Sequence, residues 1–294
     1  MKLPCPHRTD VELAPLTTFK MGGPVPLVAE PRNREEFVAV VNRLREEGRP
    51  FRVLGGGANV LIDDRGLEEA IVLTTGISFL QRDAEDTSRL RLGAGLSIPR
   101  FVTAVRSMGR SGAECLVGIP GSIGGATVMN AGGRHGQLSD IARRVRVLLP
   151  DGEEEELAVD ASTFGYRRSI FGPDLIVLET IVELQPGDKQ RSDAQIREYL
   201  KEKSAAQPLT QRSAGCVFKN PPGDSAGQVL DRAGAKGMRV GDAAVSSKHA
   251  NFIVNQGRAT LADVSTLIER MRRSVRDDSG ILLQTEVLIW STPH

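Results

Sequence analysis

The sequence predicts an α+β protein built in two parts, divided near residue 188. Three observations carry that prediction. Short apolar runs of strand type alternate with helical apolar spacing on both sides of this point. Residues 185–192, QPGDKQRS, are polar, contain Pro and Gly, and have the composition of a linker. The 294 residues suffice for one large domain or two ordinary ones with a real core.

The elements follow in chain order. Residues 25–29 are apolar and end at Pro31, which predicts a strand. Asn33 with Glu36 is an N-x-x-E start signal, and Phe37, Val40, Val41 and Leu44 then recur at helical spacing up to Gly48. Phe51–Leu54 and Ala70–Leu73 are short strand-like runs, followed by a strand at 90–92. A helix is predicted over 98–108, with Ser97 as cap and Pro99 in its first turn. Residues 117–133 are too rich in glycine for either regular state. Residues 144–149, the Asp151-Gly152 turn and residues 155–159 read as a hairpin, and 175–184 as a long strand. Beyond the linker the spacing predicts a helix capped by Ser192 with Gln195, then helices over 225–233 and, capped by Thr260, over 261–275. A closing strand is predicted over 281–290.

Composition excludes several functions. Lys and Arg number 38 against 37 Asp and Glu, for a net charge of +1, which argues against nucleic acid or an anionic membrane as main partner. No apolar run approaches the ~18 residues of a membrane span, and MKLPCPHRTD lacks the apolar stretch of a signal peptide. Cys5, Cys115 and Cys216 are odd in number and far apart, which excludes a disulfide framework and a clustered zinc site and points to a reducing cytoplasm. His7, His135 and His294 form no metal-ligand spacing, so no metal is expected.

Glycine is the high count, 31 of 294. One cluster, Gly55, Gly56 and Gly57 followed by Ala58 and Asn59, lies between two apolar strand-like runs. Glycines there let bare N–H groups face an anion. No Gly-Lys-Ser/Thr follows, so it is not a P-loop, and Val60 holds the third glycine position of a Rossmann fingerprint. Taken alone, the motif fits a tight hairpin as well as a phosphate cradle. The second cluster is Gly118, Ile119, Pro120, Gly121, Ser122, Ile123, Gly124 and Gly125, continuing to Gly133. Its interleaved Ile119, Ile123, Val128 and Met129 look like packing residues, which favours a pyrophosphate or flat ring lying on backbone over disorder.

Those two clusters, Asn130-Ala-Gly and Tyr166-Arg167-Arg168-Ser169-Ile170-Phe171 together resemble the UDP-N-acetylenolpyruvoylglucosamine reductase family. The resemblance continues through Ser213-Ala-Gly-Cys-Val-Phe-Lys-Asn-Pro221, Ala235-Lys-Gly-Met-Arg239-Val-Gly, Ser247-Lys-His-Ala-Asn-Phe-Ile-Val-Asn255 and Leu283-Gln-Thr-Glu286-Val. It is collinear from Thr18-Phe-Lys-Met-Gly-Gly23 to Glu286. It implies a vanillyl-alcohol oxidase (PCMH-type) FAD-binding domain of two subdomains over 1–187, and a smaller α+β substrate-binding domain over 188–294. The implied reaction uses NADPH and FAD to reduce the UDP-sugar enolpyruvate to UDP-N-acetylmuramate for peptidoglycan, with both glycine clusters holding the FAD. Neither cluster offers a histidine for flavin attachment, so the FAD is expected to be non-covalent. A compact linker and only two tyrosines, Tyr166 and Tyr199, match the shorter branch without an extra tyrosine-bearing loop.

By the same resemblance Arg167 stabilises the substrate carboxylate, a task that suits a planar guanidinium fork. Glu286 polarises the developing enolate. Alternation would put it on one face with Leu282, Leu288 and Trp290, where a carboxylate needs a partner or a proton. Cys216 stands where many members have the serine that protonates C2. An ordinary thiol, with pKa ~8.5, is mostly protonated at neutral pH and can do the same. Read without the family, Arg167 is a surface arginine after a helix, Glu286 an edge-strand glutamate, and Cys216 a small buried hydrophobe. Tyr166, Lys219 and Asn220 suit the substrate, while His249 and Asn251 receive no role. The rival readings are another oxidoreductase on the same fold and a flavin-binding paralogue that has lost its chemistry.

Overall fold

The computed structural model describes residues 3–292, so His294 lies outside the described residues. Packing divides the chain into two units that follow no single cut in sequence. The first comprises the segment ending at Thr9, Leu27–Gly56 and Glu69–Glu202; the second comprises Asp10–Pro26, Gly57–Glu68 and the chain from Lys203 onward. The strand predicted over 25–29 is accordingly two short strands. Pro24–Val25 pairs within the second unit and Val28–Ala29 within the first.

In the first unit, α1 (Arg34–Glu46) starts where the sequence predicts. Asn33 Oδ1 accepts from the Glu36 N–H at 2.8 Å, and Phe37, Val40, Val41 and Leu44 are fully buried. They pack on a four-stranded sheet in which Phe51–Leu54 and Val28–Ala29 lie parallel on either side of Ala70–Leu73. A five-stranded antiparallel sheet holds the predicted hairpin, Ala142–Leu148 with Glu154–Ala158, next to Ile176–Glu183 and Arg89–Gly93. Glu179, buried on this sheet, is paired with Arg91, as a charge in such a place requires. Helix α2 (Ile98–Ser107) carries Pro99 in its first turn, but Ser97 makes no side-chain cap.

Residues 117–133 correct the sequence reading, because they contain α3 (Ile123–Met129). Two glycines in the first turn cost about 1 kcal/mol each against Ala, yet packing requires one of them. The Gly124 N–H donates to the Ala94 carbonyl at 2.8 Å, and a Cβ there would sit 2.9 Å from that of Ala94. Ser122 caps the helix through its Oγ, and the buried hydroxyls of Thr127 and Thr180 meet at 2.7 Å. Helix α4 (Lys189–Ala206) begins inside the stretch of linker composition. Its cap is Asp188, whose Oδ1 accepts from the Arg191 N–H at 2.7 Å. Ser192, expected as the cap, is buried within the helix and donates to the Glu114 carboxylate at 2.5 Å.

The second unit centres on a four-stranded antiparallel sheet with Ser213–Cys216 at one edge, next to Phe252–Asn255. Helices α5 (Ala226–Arg232) and α6 (Leu261–Ser279) cover its apolar face. Thr260 and Asp263 form the capping box of α6, and Gly280 ends it at φ 72°. Of the strand predicted over 281–290, only Leu288–Trp290 is regular, parallel to Val60–Ile62, with an isolated bridge from Thr285 to Phe218. Among the described residues no helix is long and apolar enough to cross a membrane.

Candidate active site

In the first unit Gly55 and Gly56 lie backbone against backbone with the second glycine cluster. A Cβ on Gly55 would stand 2.4 Å from Ser122 Oγ, and one on Gly56 2.6 Å from Gly121 Cα. Gly118 and Gly121 have φ of 71° and 107°, so only glycine sits there without strain. Gly56, Pro120 and Gly125 remain exposed, leaving a face of nearly bare main chain. The N–H of Gly56 meets no acceptor among the described residues. An unused donor on a surface that excludes side chains fits the pyrophosphate of FAD.

Arg167 lies at the tip of a two-residue hairpin, Phe164–Gly165 against Arg168–Ser169, and not after a helix. Its φ is 54°, a left-handed conformation that costs a non-glycine residue of order 1 kcal/mol. Three tethers hold the turn. Asn130 Nδ2 donates to the Gly165 carbonyl at 3.1 Å, Ser169 Oγ to the Val128 carbonyl at 2.8 Å, and Arg167 Nη2 to the Gly132 carbonyl at 2.8 Å. The guanidinium carbon lies 5.4 Å from the ring centroid of the exposed Tyr166. Gly132 belongs to the small hairpin Gly132–Gly133 with Gly136–Gln137, at whose tip His135 stacks on Tyr199 of α4 at 3.7 Å. His135 also meets Glu202 at 2.9 Å, and that hydrogen bond holds the Glu202 carboxyl below the usual carboxylate range. Sequence reading missed Asn130 and Ser169 as supports. No sequence signal marked them, because the helix that Asn130 ends lies in a stretch read as irregular.

In the second unit Gly57 sits tightly, since a Cβ would come within 2.2 Å of the Leu16 carbonyl oxygen. Cys216 is half-buried at the end of its edge strand, opposite Phe252. Asn251 clamps the next two residues: its carbonyl accepts from the Val217 N–H at 2.9 Å, and its side-chain amide pairs with both the N–H and the carbonyl of Phe218. On the other side Glu286 donates its N–H to the Val217 carbonyl at 2.8 Å, so Cys216 and Glu286 stand on adjacent backbones.

The apolar face expected around Glu286 does not form: the chain is regular strand only from Leu288, Leu282 and Leu288 are exposed at 72% and 45%, and Leu283 and Val287 are buried instead. Asn220 Oδ1 accepts from the Ala226 N–H at 3.0 Å at the start of α5, and the Lys219 N–H donates to the Gln284 carbonyl at 2.8 Å. His249 Nδ1 accepts from the Asn251 N–H at 3.1 Å, its ring edge-on to Phe252. Burial and then the charge of Lys236 push the imidazole pKa down. His249 and Asn251 therefore support the backbone around Cys216. Among the described residues no group of three His, Cys, Asp or Glu side chains could hold a metal ion.

Comparison with known proteins gives the family and the fold. A family profile described as "FAD binding domain" matches residues 25–158, and one described as "UDP-N-acetylenolpyruvoylglucosamine reductase, C-terminal domain" matches residues 207–290. UDP-N-acetylenolpyruvoylglucosamine reductase 2 of Symbiobacterium thermophilum is 39% identical over 275 residues, covering 93% of this chain and 89% of the relative. The reductase of Anaeromyxobacter dehalogenans is 40% identical over 283 residues, covering 96% and 84%. The crystal structure of the Thermus caldophilus reductase superposes with a TM-score of 0.83 at 36% identity, covering 97% of this chain and all of that one. The α+β FAD-binding fold predicted from the sequence is therefore the one present, and the chain belongs to the UDP-N-acetylenolpyruvoylglucosamine reductase family of FAD-dependent oxidoreductases.

Proposed function

We propose that the chain reduces UDP-N-acetyl-3-O-(1-carboxyvinyl)glucosamine to UDP-N-acetylmuramate in peptidoglycan synthesis, with Arg167, Cys216 and Glu286 as its chemical groups. When bound, FAD would supply the redox chemistry, a hydride relay from NADPH to C3 of the enolpyruvyl group. Negative charge then builds toward C2 and its carboxylate. Arg167 faces that carboxylate with a guanidinium fork that stays charged at any working pH. The Cys216 Sγ–H gives its proton to C2. Glu286 polarises the developing enolate. The observation that carries this reading is the 2.8 Å bond from the Glu286 N–H to the Val217 carbonyl, which keeps the acid and the polarising carboxylate on neighbouring backbones.

Gly55, Gly56, Gly57, Ala58, Asn59, Gly118, Ile119, Pro120, Gly121, Ser122, Gly124 and Gly125 hold the cofactor non-covalently. Tyr166, Lys219 and Asn220 contact the sugar nucleotide. Chain before residue 188 serves chiefly FAD and chain after it the substrate. The proposed setting is a reducing cytoplasm. The test is anaerobic: NADPH should bleach the yellow protein, and the enolpyruvyl sugar nucleotide should restore the flavin absorbance. A protein that stays bleached after that addition does not have this function.

A further inference from the structure

The collinear order of blocks begins at Thr18, a residue that neither the cofactor nor the substrate reading employs. Its main-chain N–H donates to the Gly57 carbonyl at 3.0 Å. Its hydroxyl donates to the Ser213 carbonyl at 2.7 Å, with the Gly57 carbonyl a more distant 3.3 Å away. A hydroxyl has one hydrogen to give, and the shorter contact is the better bond. One residue thus fastens the loop read as the FAD cradle to the strand Ser213–Cys216.

That strand needs such a fastening. Its pairing with Phe252–Asn255 is irregular: Ser213 faces Val254, Cys216 faces Phe252, and Gly215 between them has φ 80°. Such a bulge interrupts the regular register between Ser213 and Cys216. Beyond Cys216 the chain is gripped by Asn251 at Val217 and Phe218. Before it, the Thr18 hydroxyl grips Ser213. The circuit closes through Glu286, whose N–H bonds the Val217 carbonyl and whose own carbonyl accepts from Asn59 Nδ2 at 3.3 Å. The cradle residues Gly57 and Asn59, the thiol strand and the Glu286 backbone therefore form one ring of hydrogen bonds within the second unit.

We propose that Thr18 is a positioning residue for the proton-transfer half of the reaction, its hydroxyl holding the bulged strand so that Cys216 keeps a fixed place relative to the cradle. This rests on the proton-donor reading of Cys216. Thr18→Val keeps the shape and the main-chain bond to Gly57 and removes only the bond to Ser213; Thr18→Ser restores that bond.

In stopped-flow work on the FAD-loaded protein, Thr18→Val should bind FAD and be bleached by NADPH like the parent. Its reoxidation by the enolpyruvyl sugar nucleotide should be at least tenfold slower, and Thr18→Ser should return it to within about twofold of the parent. Hydrogen exchange provides a readout independent of turnover: amides in the peptide covering 213–217 should exchange at least tenfold faster in Thr18→Val alone. Unchanged exchange there, or equal slowing of both half-reactions, overturns the proposal. If Cys216→Ala reoxidises normally, the proton-donor reading fails, whereas the exchange result still reports whether Thr18 holds the strand.

Discussion

Asn130 ends α3 and holds the Arg167 turn at once. Its backbone is left-handed at φ 44°, its Nδ2 donates to the Gly165 carbonyl at 3.1 Å, and its Oδ1 accepts from the Ser139 N–H at 3.1 Å. Asparagine tolerates this conformation better than other side chains, and nothing smaller makes both bonds. Asn130→Ala should lose two part-buried hydrogen bonds and gain backbone strain, about 2–4 kcal/mol in total. Asn130→Gly loses the bonds without the strain and should fall about 1 kcal/mol short of that loss. Urea denaturation of both variants measures the difference, and equal losses would show that the left-handed backbone contributes nothing.

Arg167 sits strained at φ 54° on the hairpin that Asn130 tethers. Strain kept at such a position serves a task more often than stability. Arg167→Gly relieves about 1 kcal/mol of backbone strain and gives up a bond to Gly132 of similar worth, about 1 kcal/mol. Its melting midpoint should therefore stay close to the parent's. Its kcat/KM should drop by at least about 100-fold, the cost of losing a charged stabiliser of a developing anion. A variant that melts far lower and keeps its rate would reverse both assignments.

On the proposed assignment Cys216 is the acid, and a serine in its place would do the same work as a weaker one. Cys216→Ser should keep turnover within about tenfold of the parent. Cys216→Ala should still be bleached by NADPH but reoxidise about 10²–10⁴-fold more slowly, the usual contribution of a general acid. Normal turnover by the alanine variant removes the thiol from the mechanism.

The cradle glycines differ in what they tolerate. At Gly56 a methyl group would meet main chain, 2.6 Å from Gly121 Cα, and neither loop can yield without moving the other. Gly125 is exposed, and a methyl there would meet only Ser122 Oγ at 3.6 Å, an ordinary contact. Gly56→Ala should be purified largely without its yellow cofactor, with FAD affinity at least tenfold weaker by fluorescence titration. Gly125→Ala should stay yellow. Equal affinities would mean that the packing of the two blocks is unrelated to holding FAD.

What could be read from the sequence was local. The Asn33 cap with its four buried residues, the hairpin around Gly152 and the Thr260 capping box are all decided within a few residues of themselves. What could not be read depends on partners far along the chain. Helix α3 forms in a glycine-rich stretch because Ala94 and Thr180 lie against it. Ser192 turns inward to Glu114, 78 residues away, and leaves the cap to Asp188. The site was legible as a set of blocks, since each keeps its spacing. The bonds that arrange those blocks, Thr18 to Ser213 and Asn130 to Gly165, span 195 and 35 residues and leave no periodic trace. The left-handed turn at Arg167 was equally hidden, because no glycine or asparagine marks it.

The His249 imidazole supplies a pH dependence of stability. Burial and Lys236 disfavour its charged form, and its Nδ1 accepts from the Asn251 N–H, which a protonated ring cannot do. With the folded pKa below the unfolded value of ~6.5, the unfolded chain binds more protons between the two, and stability rises with pH across that window. The full contribution is present above about pH 6.5 and is lost as pH falls through the lower folded value. Most carboxylates titrate below this range, so between about pH 6.5 and 5 the histidine should dominate the slope. Urea midpoints should fall on going from pH 7.5 to 5, and His249→Gln, which cannot take up a proton, should flatten the decline. A variant that keeps the full slope would place its origin at another group.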